Sequence, residues 1–374
     1  MNLQVATFEN SRSLSEFFQS FVIQGPVGLK IQRSADFFAP YQNLSDRYVT
    51  YMITDQSKIM GVATFILQDA LVEGSLQTIA MGCDLRIAPS RRAVLEWSKH
   101  FLPVMHEVQK TFKVQHFFSL LGNNEVQALN AFVRPRHNRR ILPQYFPFRR
   151  AECITLHGQL PWAKVPLPHL RIKPVGTHNA EAVVEYIVQK SKQRELSLTS
   201  SPDLFWDKIQ RWRGLNIEDF VVAFDRQDKV VGCLAPWSSA GLQSYIPLGY
   251  NLRAHNFRQF LKFGQILGWT RALTKPAHRL GMEAPLHFRH LDFVFAENAD
   301  IFETLLWSAF EQSHPNEFLL YYKSKGDFIY QRPVNWISAK QNFDLYYLKT
   351  PENPLPGFLH PSNDRHVDLL GQWI

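Results

Sequence analysis

Cysteine is scarce: Cys83, Cys153 and Cys233 are the only three in 374 residues. Their odd number and wide spacing exclude a disulfide framework and the paired-cysteine metal motifs, and fit a reducing compartment. Long apolar runs are lacking as well. No stretch approaches the roughly 20 apolar residues a membrane span requires. Met1 to Asn10 has no basic segment followed by an apolar core, so no secretory leader is expected, and the cytoplasm is the expected location. The histidines are scattered without ligand spacing, which leaves no expected metal site.

What is present is a large apolar and aromatic complement. The chain is 45% hydrophobic and 13% aromatic, with 29 Phe and 9 Trp, enough to fill sizeable cores. Its length suits two domains of ordinary size. The formal net charge of +8 favours an anionic partner without naming one.

The segment 157–169 carries Pro161, Pro166 and Pro168 and reads as an interdomain linker. The expected division is a first domain over 1–156 and a second over 170–374. The halves echo one another. Tyr48 to Phe65 and Phe220 to Trp237 are each a β-rich run, a polar turn and a second apolar run, with Lys58 and Gly61 aligning on Lys229 and Gly232. Each reads as a β-hairpin. After the first, Thr78 to Ala88 reads as a strand, Pro89 to Arg92 as a turn, and Ala93 to about Lys110 as a helix that Pro103 should kink or end. Val114 to Leu121 reads as a strand and Asn124 to Val133 as a short helix. The second half expects a strand at His290 to Ala296, a helix at Ala299 to Gln312 and a strand at Phe318 to Tyr322. An insertion before them contains a helix over Asn256 to Leu273. Alternating strands and helices predict an α/β fold.

Three segments carry a resemblance: Lys58 to Gly61 in the hairpin, LRIAPSRRAVLEW at Leu85 to Trp97, and LLGNNEVQALNAF at Leu120 to Phe132. In order and content they resemble the GNAT N-acetyltransferase superfamily. The resemblance implies two such folds in tandem, an acyl-CoA co-substrate (acetyl-CoA in the first place), and a small-molecule or peptide amine as acceptor. It implies that the strand end and turn at Ile87, Ala88, Arg91, Arg92 and Ala93, with Asn124, hold the cofactor. Free amides and the positive end of a helix dipole attract phosphate there. Leu95 and Trp97 stand where the family has motif glycines, and Phe132 stands where it has a proton-donating Tyr. For a base the chain offers Asp84 on the presumed central strand and Glu73 upstream of it. The second half reads AENADIFETLL at the matching turn, with Glu297, Asp300 and Glu303 where a pyrophosphate would be repelled.

The stretch Arg134 to Arg150 is densely basic and interleaved with Tyr145, Phe146 and Phe148. It lacks a nucleic-acid motif, so nucleic acid is not an expected partner, and the lack of an apolar span leaves no expected membrane partner. It is also the one feature pointing to a FemX-like aminoacyl transferase that would use aminoacyl-tRNA. Three functions stay open: an acyl-CoA-dependent N-acyltransferase, a non-catalytic relative that binds a ligand or partner, and, last, a nucleic-acid binder acting through Arg134 to Arg150.

Overall fold

The computed structural model describes residues 1–123, 125, 129–133, 142–277, 283–360 and 365–369. In chain order the first half contains β1 (Asn2–Val5), α1 (Ser11–Gln19), β2 (Val27–Arg33), α2 (Ala39–Leu44), β3 (Tyr48–Asp55), β4 (Lys58–Val72), β5 (Ser75–Ile87), α3 (Arg91–Phe112), β6 (His116–Gly122) and β7 (Gln144–Gln159). The second half contains β8 (Arg171–Pro174), α4 (Ala180–Ser191), α5 (Pro202–Arg211), β9 (Val221–Phe224), β10 (Val230–Trp237), β11 (Gln243–Tyr250), α6 (Leu252–Ile266), β12 (Phe288–Ala296), α7 (Ala299–Gln312), β13 (Phe318–Ser324) and β14 (Trp336–Lys349). The expected linker thus begins inside β7, which runs on to Gln159.

Twelve strands form one sheet in the order β1-β3-β4-β5-β6-β14-β7-β13-β12-β10-β9-β8. Its two ends mirror each other. β5 and β6 run parallel from Ile79–His116 to Gly82–Ser119 and then part. β12 and β13 run parallel from Phe288–Phe318 to His290–Leu320 and then part. The final strands are exchanged. β14, from the end of the second half, completes the first by pairing β6. β7, from the end of the first, completes the second by pairing β13. β7 and β14 then join along their whole lengths at the centre.

The helices follow the apolar periodicity. One face of the sheet is covered by α1, α2, α4 and α5, whose Leu14, Phe18, Leu44, Ile187 and Phe205 share a core that crosses both halves. On the other face, α3 buries Trp97, Phe101, Met105 and Val108, and α7 buries Phe302, Leu305 and Leu306 in a separate core. Pro103 does not end α3. It sits on the exposed side, so the Lys99 carbonyl it leaves free faces water. β2 and β11 form a two-stranded ribbon of their own that ties the halves together.

Candidate active site

The echo between Lys58–Gly61 and Lys229–Gly232 corresponds to equivalent geometry. Gly61 opposes Ile87 and Gly232 opposes Ala296, at the last turn before each helix. Each strand then carries one extra residue at the same place. β5 bulges between the partners of Val62 and Thr64, β12 between those of Cys233 and Ala235. The residues at the bulges are Asp84, at φ 54°, and Phe293, at φ 51°. Asp tolerates this left-handed region because its short side chain bonds locally, whereas for Phe it is strained. The bulge bends β5 away from β6 and re-aims its side chains.

At the first bulge Asp84 meets two donors. Its Oδ2 accepts from the Arg33 guanidinium and, at 2.8 Å, from the Tyr41 hydroxyl. Tyr41 in turn accepts from Arg33 at 2.6 Å. Arg33 comes from β2 and Tyr41 from α2, so three elements converge on one carboxylate. The Arg33 and Asp84 side chains are 1% and 5% exposed. The guanidinium lies 4.5–4.7 Å from the ring centres of Phe18, Phe37 and Tyr41. Burial opposes its charge, but the Asp84 carboxylate and Tyr41 hold it above the ordinary arginine range. Burial likewise pushes the Tyr41 phenol and the Cys83 thiol well above theirs, so neither is a ready nucleophile.

Across the gap, just past the end of β6, Glu125 faces Arg86. Burial raises its proton affinity and Arg86 opposes the rise. This carboxyl was not singled out from sequence, where it is one acid inside a polar turn. A cavity of about 380 Å³ opens at the same strand end, lined in part by Asn123, Asn130, Arg150, Lys325 and Asp344.

The turn expected to hold phosphate is a strand running into a helix. Ser90 caps α3, its hydroxyl accepting from the Ala93 amide at 3.1 Å. Arg91 and Arg92 are exposed in the first turn, whose amides have no helical carbonyl to reach. Arg92 also forms an ion pair with Asp55 at 3.2 Å. The Ala88 amide is taken by the Met60 carbonyl, and Ala93 is buried, so of the five expected positions in this turn only the two arginines project outward. Trp97 does not crowd the turn. It is fully buried against Phe101. Glu73 lies in the turn at the far end of β5, where its amide donates to Glu195, and is not brought to Asp84. Asn124 lies outside the described residues, as do Arg134, Arg136, Arg139 and Arg140.

The second half fills the matching space with its own groups. The Arg194 guanidinium lies 4.3 Å from the Phe295 ring centre and donates to the Val294 carbonyl at 2.9 Å. The Ala296 amide donates to the Tyr330 hydroxyl at 3.0 Å. Residues 366–368 lie alongside, with the Val367 amide donating to Ser324 at the end of β13 and the Asp368 amide to Glu195. Asn298 caps α7 through the Ile301 amide, and Lys190 neutralises Glu297 at 3.0 Å.

No family model matches the sequence, and no curated protein matches it. Solved structures do. Saccharomyces cerevisiae N-myristoyltransferase with bound myristoyl-CoA superposes at a TM-score of 0.54 and 10% identity, over 98% of this chain and 87% of that one. A GCN5-related N-acetyltransferase from Sphaerobacter thermophilus superposes at 0.54 and 10% identity, over 95% of this chain and 97% of that one. At such identity the likeness shows the fold alone: two GNAT-like units in tandem.

Proposed function

We propose that the chain transfers an acyl group from an acyl-CoA thioester to an amine, and does so in its first half. The observation that carries this reading is the contrast at the parted strands. In the first half a helix N-terminus bearing Arg91 and Arg92 opens beside the gap. In the second, the gap is occupied from within. Both arginines and the first-turn amides suit a diphosphate. Asp84, locked by Arg33 and Tyr41, sets a fixed charge at the floor of the gap.

In this reaction the amine nitrogen forms a bond to the thioester carbonyl carbon, the carbon–sulfur bond breaks, and the thiolate leaves. Glu125, with its raised proton affinity, takes the proton the amine gives up. Most of the acceleration comes from holding the amine and thioester together in a water-poor gap. Acetyl is the acyl group expected from the sequence. The myristoyl-CoA named for the yeast structure makes a long chain the alternative.

Calorimetric titration with acetyl-CoA and myristoyl-CoA tests the reading. Binding is expected near micromolar for one of them, and the Arg91→Ala/Arg92→Ala variant should weaken it at least about tenfold, a hydrogen bond to a charged group contributing about 1.5–3 kcal/mol net. Leu95, exposed in place of a motif glycine, favours a second reading, a scaffold that binds a partner and performs no transfer. Absence of binding by either thioester would select that one.

A further inference from the structure

Helix α6 turns an apolar stripe to solvent. Leu252, Phe260, Phe263, Ile266 and Leu267 are all exposed, Phe263 at 61% and Ile266 at 77%, and Trp269 follows at 40%. At 3.6 residues per turn the four helical positions and the capping Leu267 fall within roughly 120° of arc, which exposed Asn256 and Gln259 share. The opposite side of the helix is seated on the protein through buried Leu261 and Gly264. The seating is rigid. A Cβ at Gly264 would lie 2.7 Å from the Thr270 hydroxyl, and one at Gly158 only 2.2 Å from the Trp269 carbonyl. Glycine at both positions lets the segment 269–271 fold back onto β7. There the Gln159 amide donates to Trp269 at 3.1 Å and the Arg271 amide to His157 at 2.7 Å. The stripe is therefore held in place by the body of the protein.

Along the chain the charge around it has one sign. No Asp or Glu occurs between Asp228 and Glu283. Arg253, Lys262 and Lys275 are exposed on or just beyond the helix. Arg258 and Arg271 instead turn inward, Arg258 to the Leu273 carbonyl at 3.2 Å and Arg271 over the Phe310 ring at 3.5 Å. Large apolar residues bordered by cations, with a tryptophan at one end, match the boundary between acyl chains and anionic headgroups. A second copy of the chain would set these cationic borders against each other.

We propose that α6 lies on a membrane surface and seats the protein on bilayers containing anionic lipid. This departs from the expectation of no membrane partner, which rested on spanning segments alone. A helix lying in the interface needs none. No helix among the described residues is long and apolar enough to cross a membrane. The inference stands apart from the acyl-transfer reading, and its test reads no activity.

The test is flotation of the full chain with vesicles of phosphatidylcholine alone and of a phosphatidylcholine–phosphatidylglycerol mixture. The chain should float with the mixture, far less with phosphatidylcholine, and less as salt is raised. Phe263→Ser/Ile266→Ser should lower partition by about tenfold or more. Lys262→Glu should weaken binding to the mixture only. Far-UV circular dichroism and Tm unchanged in these variants would show that the fold is intact. The proposal is overturned if the wild-type chain stays with the unbound fraction, or if the double variant floats as well as wild type. Sedimentation velocity that finds self-association abolished by the same substitutions, without flotation, would assign the stripe to a second copy and overturn it too.

Discussion

The two halves share strand order, a bulge at the same register and a capped helix after it, yet they treat the gap between their parallel strands oppositely. In the first half the bulge residue is Asp84, whose carboxylate draws Arg33 and Tyr41 to the floor. In the second it is Phe293, buried in the core, while Arg194, Tyr330 and the segment 366–368 occupy the gap. The difference also reaches the helix. A Cβ on Gly232 would come within 2.8 Å of Ile301 on α7, whereas one on Gly61 would meet nothing nearer than the Arg86 carbonyl at 3.5 Å. The second helix is pressed onto its hairpin and the first stands off. A tandem fold can thus leave the gap of one half open and brace that of the other.

The largest expected effect lies at the charged floor. Asp84→Asn keeps a side chain that accepts the positive φ but leaves the Arg33 charge buried without its counter-charge. It should destabilise by about 3–5 kcal/mol in urea unfolding. A loss under about 1 kcal/mol would mean the cluster is solvated and the contrast with Phe293 is superficial.

Acid should weaken the brace more than the gap. Burial pushes His157 and His290 down to about 3 and His116 to about 4. In the unfolded chain each takes a proton near pH 6.5. Between those values the folded state binds fewer protons, so stability is full above about pH 6.5 and falls as the pH drops toward 4. Each histidine contributes a slope of at most about 1.4 kcal/mol per pH unit. Denaturant midpoints between pH 7 and pH 5 should follow that fall, and His290→Asn should flatten it.

The two hairpin glycines give a direct contrast. Gly232→Ala should cost about 1–3 kcal/mol through overpacking. Gly61→Ala should change stability by no more than about 0.5 kcal/mol. Equal effects would erase the difference in helix stand-off. Smallest is the capping pair. Ser90→Ala and Asn298→Ala should each cost about 1 kcal/mol in thermal unfolding. A markedly smaller loss for Ser90 would show that α3 does not depend on that cap.

Much of this was legible from sequence where the signal is local. The hairpins, β5 into α3, β12 into α7, and β13 announce themselves by period and by turn residues. The Lys–Gly echo marks equivalent positions because each Gly sits opposite the strand end before a helix. What escaped the reading depends on distant partners. Arg33 and Asp84 are 51 positions apart, and nothing near Arg33 signals a buried ion pair. Trp97 read only as a replaced motif glycine because spacing within a motif does not reveal which side of the helix a residue faces. Period then decided: Trp97, Phe101, Met105 and Val108 lie on one side, and that side is the core. The helix of the insertion was legible, though it runs over Leu252–Ile266 and not Asn256 to Leu273, but not that its apolar side faces water.

The exchange of β7 and β14 has a consequence for synthesis. As the chain emerges from the ribosome, β6 pairs β5 early but meets its second neighbour, β14, only after more than 200 further positions have been made. Until then the nascent first unit exposes a bare strand edge, open to mispairing. Closure of both units is a single late event, so splitting the gene at the proline-rich segment would yield two fragments that must find one another before either is whole.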